Sequence, residues 1–273
     1  MICFFAGNVG SACSHAIIEN EILEISGNRL LSFAYREQEK KSFEFWLGKK
    51  KDSNKRLFLD CGAFTACAQG YEIDINEYIE FVKKNEKSFF CCASLDEIGN
   101  AEQSRKNHEY MLDKGVNSMP TFHLGSDLKE LEMYCENSKY VAIGKIIPLL
   151  RNKEKLVRSL DQCWSIIKKY WPIKIHAFGI MNPLVLTKYP FYSCDSTTAI
   201  YNGSFGVIMN FDGFNVKKES WRSTEITGRY GSLMDSNDGS KYSERRIHNV
   251  REMVKLERYF TRLWTHKGIV WKE

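Results

Sequence analysis

A chain of 273 residues, 43% of them hydrophobic, is long enough to bury a large core in one α/β domain or two smaller ones. The formal net charge of +5 is modest, and no run is long and apolar enough to form a membrane-spanning helix. The nine cysteines are scattered, odd in number and free of CxxC or CxC pairs, which points to buried reduced thiols in a cytoplasmic protein and against a cysteine-rich zinc site.

Residues 2–6 read as a first strand; Met1–Gly7 has no basic region before its short apolar segment, so it does not look like a signal peptide. A small-residue loop follows (Gly7, Asn8, Gly10, Ser11), then a helix over 14–24, a strand over Arg29–Tyr35 and a helical segment at Ser42–Leu47 that runs into Lys49-Lys50-Lys51. Arg56–Asp60 is the third strand. Asp74 is placed to cap a helix reaching Asn85, with Tyr78, Ile79, Phe81 and Val82 on its apolar side. Ser88–Leu95 is a fourth strand, 101–114 a polar helix stopped by Gly115, and Asn117–Phe122 a fifth strand. A helix from Asp127 to Glu136, a strand over Tyr140–Ile143 and an amphipathic helix over Asn152–Tyr170 come next. Ile173–Phe178, a short helix at Asn182–Lys188 and the strand Phe191–Cys194 complete the pattern.

Eight short, continuously apolar strands separated by helical segments predict a parallel sheet buried on both faces, most simply a (β/α)8 barrel over 1–206; a doubly wound open sheet is the alternative. No GxGxxG follows the first strand, which counts against a dinucleotide fold. Residues 207–273 read as a C-terminal extension packed on the barrel: an extra strand over 205–211, a surface excursion rich in Gly, Ser, Asn and Asp over 212–240, and a basic amphipathic helix from Ser243 to Trp264. Lys217, Lys218, Arg245, Arg246, Arg251, Lys255, Arg258 and Arg262 either line a nucleic-acid path or form a solvated face.

A barrel of this kind carries its active site at the C-terminal ends of its strands. Here those ends read Asp60, Asp96, His123, Gly144-Lys145, Gly179 and Asp195. Taken alone, Asp195 in Asp195-Ser-Thr-Thr198 reads as a turn cap before it reads as a nucleophile. Three carboxylates at one mouth repel, which drives their pKa values apart and lets one act as acid while another stays ionised. Oxygen-only magnesium binding and cleavage of a glycosidic bond both fit. Phe64 and Phe178 beside these acids suit a flat heterocycle between two rings, or the core.

The ordered set of motifs resembles the tRNA-guanine transglycosylases. Asp60-Cys-Gly-Ala-Phe64 is similar to that family's Asp-Ser-Gly-Gly-aromatic motif, Leu95-Asp-Glu97 to its Asp-Glu segment, Ile143-Gly-Lys145 to its Gly-Gly turn, Phe178-Gly-Ile180 to its Met-Gly-Val segment, and Cys194-Asp-Ser196 to the segment bearing its nucleophilic Asp. Thr121-Phe-His-Leu-Gly125 and Tyr189-Pro-Phe-Tyr192 resemble the phage-type deoxypurine-in-DNA protein A branch. The resemblance covers roughly residues 57–206. It implies exchange of guanine in DNA for a 7-deazaguanine such as preQ0, without a cofactor or metal, in the host cytoplasm if the chain is phage-encoded. Asp195 would be the nucleophile and Asp60 the general acid and base. Asp96 would read the base edge, Gly144 would meet its far end through backbone groups, and Phe64 and Phe178 would stack on its faces. Gly179 and Ser196 would be further substrate contacts, and His123 would bind the base or sugar or be a structural strand-end histidine; Lys145, standing where the family has a second glycine, either contacts a phosphate or points to solvent. The family's C-terminal zinc site of three cysteines and a histidine is absent, since no cysteine lies beyond Cys194, and this favours DNA over tRNA. The same exchange on tRNA, a non-catalytic nucleic-acid-binding barrel and a magnesium-dependent phosphoryl enzyme are the alternatives.

Overall fold

The computed structural model describes residues 1–10, 15–49, 54–220 and 239–271. Eight parallel strands, β1 (Ile2–Phe5), β2 (Asn28–Ser32), β3 (Arg56–Asp60), β4 (Cys91–Cys92), β5 (Thr121–His123), β6 (Tyr140–Gly144), β7 (Lys174–Ala177) and β8 (Ser193–Ser196), pair in the order β4-β3-β2-β1-β8-β7-β6-β5. A parallel bridge between Ala93 and Met119 joins the two remaining edges, so the sheet curls into a (β/α)8 barrel.

Both faces of the sheet are apolar because each faces a different core. Leu31, Leu57, Leu59, Val141, Ile143 and Ile175 meet the helices outside. Ile2, Phe4, Leu30, Phe58, Met119, Ala142 and Tyr192 fill the barrel interior. The alternation is real but hidden in the sequence, since inside and outside residues are alike in polarity.

The helices are α1 (His15–Ile25), α2 (Lys40–Gly48), α3 (Ala63–Gln69), α4 (Ile75–Asn85), α5 (Ala101–Asp113), α6 (Leu128–Asn137), α7 (Lys153–Ile167), α8 (Pro183–Lys188), α9 (Thr198–Ser204) and, after a β9 (Val207–Phe211)/β10 (Val216–Ser220) antiparallel hairpin, α10 (Gly239–His266). Side-chain caps start α4, α5, α6, α7 and α8 at Asp74, Asn100, Asp127, Asn152 and Asn182.

Helix α10 packs against α1, α8, α9 and β1. Trp264 Nε1 donates to Leu186 O at 2.8 Å, and Asn249 accepts from Met209 N at 2.8 Å while donating to the carbonyls of Ala199 and Val207. The segment after residue 206 therefore supplies cover for β1 and α1.

Three strand expectations change. Ser88–Leu95 and Asn117–Phe122 shrink to β4 and β5, because Ser88 sits in a 3-10 turn and only the bridge at Ala93 and Met119 continues the ladder. Phe33–Tyr35 turns into a 3-10 helix rather than extending β2. Ala63–Gln69 and Thr198–Ser204 form two further helices. Ser11, Lys50, Lys51 and most of the 212–240 excursion lie outside the described residues.

One buried ion pair fixes the start of the barrel mouth. The Arg29 side chain, wholly buried, donates to Glu19 at 3.0 Å, to Phe5 O at 2.7 Å and to Gly7 O at 2.8 Å. Burial opposes the Glu19 charge, but the Arg29 guanidinium and hydrogen bonds from Trp46 and Ser42 hold its pKa below the usual value. The loop after β1 is thereby tied to α1 and α2.

Candidate active site

Asp60, Asp96 and Asp195 gather at the strand C-terminal ends, and the charges of Asp195 and Asp96 both act on Asp60. Asp60 closes β3. Gly62 N–H donates to its Oδ2 at 3.1 Å, made possible by a left-handed Gly62 (φ +86°) whose missing Cβ would stand 2.3 Å from Ala34 Cβ. Burial first, then the Asp195 charge, pushes the Asp60 carboxyl up to about 7. A group near 7 can give a proton in one step and take one back in the next.

Asp195 is 7% exposed and lies within β8, one residue before its end. Gly179 N–H donates to its Oδ1 at 2.7 Å, and His176 Nε2 lies 3.2 Å from the same oxygen. Thr197, not Asp195, precedes α9, and no side chain caps that helix. The carboxylate is thus held across the barrel rather than spent on its own turn.

His176 is the residue that the sequence does not single out. It sits on β7, wholly buried, with the rings of Phe178 and Phe58 edge-on at 4.6 and 4.9 Å. Its Nδ1 is 2.6 Å from Ser193 Oγ, which in turn meets the Tyr140 hydroxyl. A lone histidine in the apolar run Ile173–Phe178 reads as core. The available signal is register: with period two, His176 shares the interior face with Phe178, as Ser193 does with Asp195.

Asp96 follows β4. Ser104 Oγ donates to its Oδ1 at 2.6 Å, and His123 Nε2 donates to its Oδ2 at 2.6 Å. Burial works against a charge on His123, but the hydrogen bond and charge of Asp96 outweigh it and raise its pKa. The two expected substrate contacts are therefore one dyad, buttressed from α5. Among the described residues no three His, Cys, Asp or Glu side chains are placed to hold a metal ion.

The remaining residues divide. Phe64 is 78% exposed on the first turn of α3. Phe178 is half-buried against Phe58 at 5.8 Å. Gly144 is buried, and its carbonyl accepts from Leu124 N at 3.2 Å. Ser196 Oγ donates to Thr198 Oγ1 at 2.6 Å and accepts from Thr198 N at 3.0 Å, so its hydroxyl shapes the turn into α9. Ile147, Tyr201 and Phe205 add exposed apolar side chains on segments that follow strands β6 and β8.

Lys145 is exposed and has a left-handed backbone (φ +60°), alone among the described non-glycine residues. That conformation costs an L residue roughly 1–2 kcal/mol. Lys145→Gly is expected to raise the urea unfolding midpoint by the equivalent of about 1 kcal/mol; an unchanged or lower midpoint would mean that lysine contacts offset the strain.

The basic residues of the C-terminal region are largely occupied. Arg245 is 1% exposed and donates to Gly203 O at 3.0 Å, while Arg246 donates to Val9 O at 2.8 Å and to Ser204 Oγ. Arg251 pairs with Glu21, Lys255 with Glu252 and Lys217 with Asp212. Arg245 and Arg246 clamp α9 and the loop after β1 and do not form a solvated basic face.

No family model and no curated protein matches the chain. Solved structures do. Two mutants of the tryptophan synthase alpha-subunit from the hyperthermophile Pyrococcus furiosus align with TM-scores of 0.52 and 0.53 at 11% and 10% identity, over 93% of this chain and 97% of theirs. A chain of the tryptophan synthase a2b2 complex of that organism aligns with a TM-score of 0.53 at 10% identity, with the same coverage. Likeness at this identity carries the barrel fold and nothing of the chemistry.

Proposed function

We propose that the protein is a transglycosylase that exchanges guanine in DNA for a 7-deazaguanine such as preQ0. The observation that carries this reading is the pairing of two unlike carboxylates at one barrel mouth: Asp195, anchored through one oxygen by two donors, and Asp60, with a pKa of about 7. Glycosyl transfer with a covalent intermediate needs this pair.

In the first half-reaction the free Asp195 oxygen attacks C1′ and the C1′–N9 bond breaks. Protonated Asp60 gives its proton to the departing guanine, leaving a glycosyl ester on Asp195. In the second, ionised Asp60 takes the N9 proton of the incoming 7-deazaguanine. The resulting N9 attacks C1′ and Asp195 departs as a carboxylate. Asp60 ends protonated, as it began, and no cofactor is consumed.

Asp96, held by Ser104 and His123, has lone pairs left to accept from the N1–H and amino group of the base. Exposed Phe64 and half-buried Phe178 are suited to stack on it. The nucleotide must leave its helix to reach Asp195, and the exposed Ile147, Tyr201 and Phe205 offer apolar contacts for unstacked neighbours. Such chemistry fits a protein that works on nucleic acid in the cytoplasm. No described helix is long and apolar enough to cross a membrane.

Mass spectrometry of nucleosides, after incubation with preQ0 and either DNA or tRNA, tests the reading. The deazaguanine is expected in deoxynucleosides. Incorporation into tRNA alone would move the activity to the other substrate, and incorporation into neither would reject base exchange.

A further inference from the structure

Four polar side chains form a line among the apolar side chains of the barrel interior. The line runs from Tyr140 on β6 to Ser193 on β8, to His176 on β7, and back to Asp195 on β8. Phe4, Phe58 and Phe178 surround the imidazole. Polar groups in such a setting persist only when each finds a partner, and here each does.

The direction of the line follows from donor inventory. A carboxylate only accepts, so His176 Nε2 carries the hydrogen that points at Asp195 Oδ1. In the neutral ring Nδ1 is then an acceptor, so the Ser193 hydroxyl donates to it and accepts from Tyr140. Gly179 N–H meets the same Oδ1 at 2.7 Å. Both donors therefore hold one oxygen of Asp195, and the other is left for the reacting carbon.

We infer that Tyr140, Ser193 and His176 act as a positioning relay that locks one oxygen of Asp195 and aims the other at the sugar. This rests on the reading of Asp195 as the glycosyl-accepting nucleophile. The relay stabilises the carboxylate as it departs in the second half-reaction without lending a proton to the base. Tyr140 fixes the Ser193 rotor, Ser193 fixes the His176 tautomer, and His176 fixes the carboxylate plane.

The test combines kinetics with ¹⁵N NMR of the His176 ring. His176→Phe keeps the aromatic packing and removes the donor. It is expected to lower kcat for base exchange by about 100-fold, with KM for the oligonucleotide within about 3-fold of the wild type. His176→Gln, which returns an N–H donor, should recover at least about 10-fold of that loss. Ser193→Ala should cost about 10-fold, and the Ser193→Ala/His176→Phe double variant should be no worse than His176→Phe, because the links act as one unit. NMR of the wild-type protein should show the Nε2–H tautomer. A His176→Phe enzyme within about 3-fold of wild-type kcat would overturn the relay, as would losses that multiply in the double variant. A wild-type ring carrying hydrogen on Nδ1 would also overturn it. If the wild type exchanges no base, base exchange fails as a function, and the tautomer still decides the geometry of the line.

Discussion

Asp195→Asn is expected to lose base exchange by about 10⁴-fold or more while keeping the fold. Asparagine is the informative replacement because the amide oxygen still accepts from Gly179 N–H and from His176, which now meet Asp195 Oδ1. Only the nucleophilic oxygen is replaced. The urea midpoint should therefore move by no more than about 1 kcal/mol. A second consequence follows from charge: Asp195 is the largest electrostatic cause, after burial, of the raised Asp60 pKa. Removing that charge should lower the Asp60 pKa, which carboxyl-carbon NMR reads directly. Retained exchange in this variant would rule out the nucleophile, and an unmoved Asp60 pKa would mean that the two carboxylates do not share the mouth.

Asp60→Asn is expected to reduce exchange by about 10²- to 10⁴-fold and to stabilise the protein at the same time. The sign is fixed by the pKa change from 3.8 to about 7. The folded protein binds this proton more tightly than the unfolded chain, so the stability due to protonated Asp60 is complete below about pH 4 and is lost as pH rises through 7. Above pH 7 the ionised, buried carboxylate costs on the order of 2–4 kcal/mol. The asparagine variant should therefore unfold several degrees higher than wild type at pH 8 and show no such gain at pH 3.5. The catalytic counterpart is a bell. Guanine release in a single turnover should fall above pH 7, where Asp60 has lost its proton, and attack by the incoming base should fall below it. Loss of activity without the stability gain would mean that Asp60 is not held protonated in the fold.

Much of the barrel and of its mouth is legible in the amino-acid sequence. Strand ends are visible because a parallel barrel strand is apolar on both faces and an acidic residue or histidine closing the apolar run marks the mouth; Asp60, Asp96, His123 and Asp195 all stand out on that ground. The dyad between Asp96 and His123 does not, since residues 27 apart in the chain meet only when β4 and β5 close the barrel. His176 and Ser193 are hidden for the opposite reason, being polar residues inside apolar strands, where only their two-residue spacing from Phe178 and Asp195 points to the interior face.

Helix α9 is concealed by Gly203, which reads as a loop residue. It is glycine because a Cβ there would stand 2.8 Å from the Arg246 side chain and backbone on α10. The basic pair Arg245-Arg246 misleads by composition alone, for its guanidinium groups are turned inward onto Gly203 O, Val9 O and Ser204. Charge clusters in a sequence say nothing of which carbonyls lie within reach.

The most direct measurement is intact-mass spectrometry of the protein, acid-quenched during turnover on a guanine-containing single-stranded oligonucleotide. The expected result is a protein heavier by the oligonucleotide less one guanine, with the adduct mapping to Asp195. The adduct should be absent in Asp195→Asn and should be discharged by preQ0. Base exchange that proceeds with no adduct at any quench time, or an adduct that survives in Asp195→Asn, would contradict the account.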